Sequence, residues 1–117
     1  MENDAVNHPS HYTGHSTEIE CIMFTRNMSF DAGNAFKYIW RAGEKDDIAQ
    51  DLNKALWYID DAVAYGHCDN YNHLVPFLPR QSLHSWKYEA LYCILVGNLS
   101  AAQYAIADKL HGQTETF

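Results

Sequence analysis

Apolar side chains recur at helical spacing over residues 48–63, and this pattern most restricts the folds open to the chain. Asp46 or Asp47 is placed to start the helix, and Gly66 is placed to end it. One side of such a helix must be covered by other apolar surfaces. The residues on that side are Ile48, Leu52, Ala55, Leu56, Ile59 and Val63.

Two further helices are predicted before this one. The first opens at Thr17, with Glu20 at capping-box spacing, and ends near residue 28. Ser29 or Asp31 can cap the second, which stops near Gly43.

The second half of the chain predicts a connector over residues 67–79 and two more helices. The fourth helix resumes at about Ser82 and ends near Gly97. The fifth covers residues 100–110 and stops at Gly112, before a frayed tail of residues 113–117. The apolar stripe of the fourth helix consists of Tyr88, Leu91, Tyr92 and Leu95.

No β-type alternation persists in the sequence, and the proline and glycine of residues 1–16 oppose a helix there. We therefore predict an all-α fold, a compact bundle of about five helices with an irregular N-terminal arm. Residues 1–117 should form one domain. Its parts are the arm (1–16), a helical core (17–66) and a C-terminal helical pair (80–112).

Charge and cysteine content restrict the partners and the compartment. Fifteen acidic residues against eight basic ones give a net charge of −7, which opposes duplex nucleic acid as a partner. Three cysteines without a C-x-x-C pair suggest a reducing compartment. The sequence shows neither a signal peptide nor an apolar run that could span a membrane, so we expect a cytoplasmic protein with no membrane partner.

One side of the second helix carries two cations and two hydrogen-bonding groups within this acidic chain. Its residues are Asn34, Lys37, Tyr38 and Arg41. An arginine fork and a lysine on one side suit a phosphate group, and the neighbouring polar groups could orient a base or sugar. Alternatively, the cations could be solvated, or could pair with Asp47 and Asp51 in surface salt bridges worth under about 1 kcal/mol.

The third helix has a polar side of its own. Its members are Asp47, Asp51, Lys54, Tyr58 and Asp61. Two carboxylates one turn apart could hold Mg²⁺ beside a nucleotide, whereas the plainer interpretation is a hydrated outer surface. Because a short link joins helices two and three, they should pair antiparallel and bring Lys37 or Arg41 near Asp51 or Lys54.

The arm is rich in histidine. His8, His11 and His15 could bind zinc if the arm were structured, but Pro9 opposes a helix that presents them together, so we predict no metal site. These side chains could instead close over an anionic substrate. The arm residues with this role are His8, Ser10, His11 and Tyr12.

Some aromatic and thiol side chains have a structural explanation. We expect Cys21, Trp40, Trp57 and Tyr58 in the core, although one aromatic ring facing a pocket could hold a base. The aromatic residues of the second half fit a subunit interface and a monomeric core equally well. They are Trp86, Tyr88, Tyr92 and Tyr104.

The chain lacks the G-x-x-x-x-G-K-[ST] and G-x-G-x-x-G loops, which excludes a phosphate-loop kinase or a Rossmann enzyme. Four ordered blocks nevertheless resemble the SaV-like family of small bacteriophage proteins. They are VNHPSHY (6–12), IECI (19–22), GNAFKYIWRAG (33–43) and DLNKALWY (51–58). The resemblance covers roughly residues 4 to 66, and Glu44 departs from the basic or small residue expected after Gly43.

The resemblance implies a function, because the family includes a coliphage nucleotide kinase. That kinase acts on deoxynucleoside monophosphates without a phosphate loop, forms a large homo-oligomer and does not strictly need a metal. We therefore expect a kinase in the cytoplasm of an infected bacterial host, with nucleotides as partners and no required cofactor, although Mg²⁺ could accompany the nucleotide.

Site roles follow from the same resemblance and from phosphoryl-transfer chemistry. His8 or His11 would position or deprotonate the acceptor, and Lys37 and Arg41 would neutralise the transferring group. The substrate-binding residues would be Ser10, Tyr12, Asn34, Tyr38, Asp51 and Lys54.

Two other functions remain open from the sequence. One is a nucleotide-binding or host-interacting counter-defence protein without turnover. The weaker one is a Mg²⁺-dependent nucleotide pyrophosphatase that uses Glu20, Asp47 and Asp51.

Overall fold

A computed structural model describes residues 17–44, 47–66 and 69–115. No strand occurs in these ranges, so the predicted all-α fold is confirmed. A short 3₁₀ helix, Asn72–Phe77, lies between the third and fourth α-helices. The α-helices are α1 (Thr17–Thr25), α2 (Phe30–Arg41), α3 (Ile48–Ala64), α4 (Ser85–Leu95) and α5 (Leu99–Glu115).

The predicted caps of the two central helices are confirmed. The Ser29 hydroxyl accepts a hydrogen bond from the Ala32 amide at 3.3 Å at the start of α2. The Asp47 carboxylate accepts one from the Ala49 amide at 3.0 Å at the start of α3. Short polar side chains at these positions satisfy amide groups that lack a partner within the helix.

Several predicted helix ends were wrong. Helix α1 stops at Thr25, because the amide of Met28 donates to the Thr25 carbonyl in a turn that leads into α2. Helix α5 runs through Gly112 to Glu115, so it is longer than predicted and does not stop at Gly112. Gly112 is exposed, and a helix tolerates an exposed glycine at a cost of about 1 kcal/mol.

The connector and the fourth helix also differ from the prediction. A 3₁₀ helix, Asn72–Phe77, forms inside the predicted connector of residues 67–79, with Pro76 within it. The fixed φ of proline suits a short tight helix. Helix α4 starts at Ser85 rather than near Ser82, because residues 80–83 form turns and a bend.

The core lies where α2 packs against α1, α3 and α4, and where α5 covers α3 and α4. Cys21 and Trp40 are buried in it as predicted. Trp57 was expected there but is 61% exposed, and Tyr92 and Tyr104 also lie at the surface. None of the described helices is long and apolar enough to cross a bilayer.

Candidate functional site

Helices α2 and α3 bring three of the predicted cations to one aromatic ring. The Lys37 ammonium lies 4.6 Å from the centroid of the Tyr38 ring. The Lys54 ammonium lies 5.4 Å from that centroid and the Arg41 guanidinium 5.7 Å. Cations at such distances are attracted by the negative face of the ring. The predicted approach of the two helices is therefore confirmed.

Aromatic side chains continue this surface along α3. The Tyr38 and Tyr58 rings stack with centroids 6.0 Å apart and planes 9° apart. Trp57 meets Tyr58 edge to face at 5.2 Å, and Phe30 meets it in the same way at 5.8 Å. We call this region the cation–aromatic surface. Its members are Phe30, Lys37, Tyr38, Arg41, Lys54, Trp57 and Tyr58.

Two open pockets lie along this surface. One, of about 320 Å³, lies between α1 and α2 and includes Lys37, Trp40 and Arg41 in its lining. The other, of about 310 Å³, is lined by Tyr38, Lys54, Trp57 and Tyr58. Each is at the lower end of the range for small-molecule sites.

Asp51 does not lie on a hydrated outer surface, contrary to the plainer interpretation of the sequence. Its side chain is 2% exposed, and one carboxylate oxygen lies 3.6 Å from Arg41 Nε. The other oxygen, Oδ2, is buried and accepts no hydrogen bond within the part of the chain that the structure describes. The Arg41–Asp51 pair is therefore half buried, and a surface salt bridge is an inadequate description of it.

Lys87 is a site residue that the sequence analysis missed. Its ammonium donates to the carbonyl oxygens of Trp40 at 2.7 Å and Ala42 at 2.9 Å, and lies 3.6 Å from a Glu44 carboxylate oxygen. The side chain thereby caps the last turn of α2, where Arg41 is located. A signal was present in the sequence, because Lys87 shares one side of α4 with Ala90, Leu91 and Ile94.

The surroundings of Lys87 are unfavourable for its charge. Burial lowers the pKa of the Lys87 ammonium from its ordinary value, and the carboxylates of Glu44 and Asp51 oppose this shift in part. Lys87 and Asp51 are the buried charged residues of the described chain. Charges of both signs are therefore packed beneath the end of α2.

Asn34 lies one turn before Tyr38 on α2. Its side-chain amide nitrogen donates to the Phe30 carbonyl at 2.9 Å, so this donor is engaged within its own helix. Its proposed contact with a substrate remains a prediction. The predicted arm residues lie outside the described residues, as do Lys45 and Asp46 at the link between α2 and α3. These arm residues are His8, Ser10, His11, Tyr12 and His15.

The described residues contain no group of three or more histidine, cysteine or acidic side chains that could hold a metal ion. Asp47 is exposed and caps α3, Asp51 is buried beside Arg41, and Glu20 lines an apolar pocket of about 430 Å³. The structure thus does not gather the three carboxylates that a pyrophosphatase would use.

Comparison with known proteins relates part of the chain to a protein family. A family model described as a protein of unknown function (DUF3310) matches residues 6–60. This segment includes α1 together with α2 and most of α3, and the last two helices carry the cation–aromatic surface. No curated protein and no solved structure matches the chain.

Proposed function

We propose that this protein is a nucleotide kinase that transfers a phosphoryl group from a nucleoside triphosphate to a deoxynucleoside monophosphate, as the SaV-like resemblance implies. The cation–aromatic surface would bind the nucleotides. The proposal includes a homo-oligomer in the cytoplasm of an infected bacterium.

One observation supports this most: three cations converge on the Tyr38 ring in a protein of net charge −7. Among the described residues, no carboxylate lies within salt-bridge distance of Lys37 or Lys54. Like charges held this close repel one another, and a bound polyanion would relieve the repulsion. A nucleotide supplies both the phosphate for these cations and a base for the neighbouring rings.

The same side chains suit phosphoryl transfer. Lys37, Arg41 and Lys54 could neutralise the charge on the equatorial oxygens while the pockets position the two nucleotides. Lys87 and Asp51 hold the end of α2 and the Arg41 side chain in place, which favours a preformed site. His8 or His11 would orient or deprotonate the acceptor.

Nucleotide binding without turnover is the second candidate. Asp51 favours it, because this carboxylate is buried and pairs with Arg41 rather than facing a substrate. In that case the surface would sequester a nucleotide instead of converting it.

A product assay tests both candidates. The purified protein would be incubated with each deoxynucleoside monophosphate and a set of triphosphate donors, with and without Mg²⁺, and the nucleotides separated by chromatography. Formation of a diphosphate supports the kinase. Binding without conversion supports sequestration, and absence of both binding and conversion refutes the proposed function.

Lysine-to-alanine variants test the same surface, because Lys37 and Lys54 are exposed and their side chains can be removed without disturbing the core. Lys37→Ala and Lys54→Ala should each lower nucleotide affinity or turnover by about tenfold, because each removes a charge-assisted contact. Lys109→Ala removes a lysine that lies over Trp86, away from the cation–aromatic surface, and should change neither quantity.

A further inference from the structure

The cation–aromatic surface changes character along its length. Arg41, Lys37 and Lys54 gather near the C-terminal end of α2, whereas Phe30 lies at its N-terminal end. Tyr38 and Tyr58 stack between them. A ligand that matched this surface would have an anionic end and a flat apolar end.

Phe30 and Trp57 are the most exposed rings of the aromatic end, at 74% and 61%. The Trp57 ring is held edge to face against Tyr58. An exposed ring held in this way can stack on a flat ligand. The Trp57 ring lines the same pocket as the Lys54 side chain.

Lys54 and Trp57 suit one chemical class of ligand. They lie three positions apart on α3, so their side chains are neighbours on the helix surface, and both line one pocket. A nucleoside 5′-monophosphate joins a phosphate to a flat base through one sugar, so it offers a group to each of these side chains. We infer that Trp57 is the base-stacking residue for a nucleoside monophosphate whose phosphate lies at Lys54 and Lys37. The inference rests on the proposed function and adds how the acceptor, the nucleoside monophosphate, is oriented on the cation–aromatic surface.

Binding measurements with fragments of the nucleotide test this orientation. Wild-type protein and the variants Trp57→Ala and Trp57→Phe would be titrated with each deoxynucleoside monophosphate, and also with 2-deoxyribose 5-phosphate, which lacks the base. Tyr104→Ala is the control, because Tyr104 is an exposed aromatic residue of α5. Circular dichroism would establish that each variant is folded.

Trp57→Ala should weaken binding of the monophosphates by roughly five- to a hundredfold, the range expected for loss of one base–aromatic stack. Trp57→Phe should restore much of the affinity. Binding of 2-deoxyribose 5-phosphate should be the same in all variants, and Tyr104→Ala should behave as wild type.

Two outcomes of these titrations would overturn the inference without affecting the proposed function. One is equal monophosphate affinity of wild type and Trp57→Ala. The other is an equal loss of affinity for 2-deoxyribose 5-phosphate in Trp57→Ala, which would make Trp57 a structural residue.

A single-stranded oligonucleotide of about 15 nucleotides would also be titrated. Much tighter binding of that strand than of any monophosphate would replace the inference with a nucleic-acid platform. If the wild-type protein binds no nucleotide at all, the proposed function itself is refuted.

Discussion

The Lys87 ammonium lies 2.7 Å from the carbonyl oxygen of Trp40, 47 residues earlier in the chain. This bond joins α4 to the last turn of α2 and places a positive charge at the helix end where the backbone dipole is negative. It therefore links the C-terminal half of the chain to the cation–aromatic surface.

Lys87→Met should destabilise the protein. The substitution keeps the length and apolar character of the side chain but leaves the carbonyls of Trp40 and Ala42 without their donor. We expect the free energy of unfolding to fall by about 2 kcal/mol in urea titrations. Lys109→Met is the control, because Lys109 also lies over Trp86, yet it does not cap α2. A loss of the same size in both variants would contradict the capping role.

The stability that Lys87 provides should depend on pH. Because burial lowers its pKa in the native state, the unfolded chain keeps this proton over a pH range in which the native protein has released it. That range lies below the ordinary value of 10.5, and within it stability rises with pH. We expect the free energy of unfolding of the wild type, minus that of Lys87→Met, to increase from neutral pH toward 10.5. Glu44 and Asp51 oppose the shift and narrow the range. A flat or falling difference would show that the native pKa is not lowered.

The Arg41–Asp51 pair should be strongly non-additive. Arg41→Ala leaves the buried Asp51 carboxylate without its cation, and we expect a loss of about 2 kcal/mol. The Arg41 side chain is 31% exposed, so solvent screening keeps this below the cost for a fully buried pair. Asp51→Asn in the same chain should recover at least half of the loss, because it removes the buried charge. A double-mutant cycle measures the coupling, and additive losses would contradict it.

That coupling also affects the choice of variants for activity assays. Arg41→Ala alone removes a cation from the cation–aromatic surface and also destabilises the protein, because the buried Asp51 loses its partner. Arg41→Ala combined with Asp51→Asn separates the two, because the double variant lacks the cation without leaving a buried anion.

Local sequence signals predicted the fold better than they predicted the surroundings of the site. Ser29 and Asp47 cap helices through groups within three residues, so their roles follow from sequence alone. Lys87 and Asp51 are polar residues whose burial depends on partners in other helices. Helical spacing placed Asp51 on a polar side of α3, and the expected pairing of α2 and α3 brought Arg41 near it, but neither showed that the Asp51 carboxylate is buried.

Trp57 shows the opposite error. Large aromatic side chains are usually buried, so the sequence favoured a core position, whereas the packing of α2 on α3 leaves Trp57 outside. Arg41, Lys37 and Lys54 were predicted together correctly, because the short link fixes how the two helices pair. The arm residues His8 and His11 stay predictions.

Gly97→Ala should be more costly than Gly66→Ala, although both glycines follow helices with positive φ, at +80° and +75°. Each substitution places a side chain in the left-handed region, which costs about 1–2 kcal/mol. At Gly97 the new Cβ would also lie 2.9 Å from the Asp69 carbonyl oxygen, whereas at Gly66 it would meet no atom within 4 Å among the other described residues. We therefore expect Gly97→Ala to lose at least about 1 kcal/mol more in urea titrations.

The clash at Gly97 should also change the contacts of α2. The residues that the new Cβ would displace, Asp69 and Asn70, directly precede Tyr71. The Tyr71 amide donates to the Leu95 carbonyl, and the Tyr71 hydroxyl accepts a hydrogen bond from the Ser29 amide at 3.0 Å. Movement of the loop should loosen this contact, so the Ser29 amide should exchange its hydrogen faster in Gly97→Ala but not in Gly66→Ala. Equal exchange rates in the two variants would show that the loop absorbs the clash before it reaches α2.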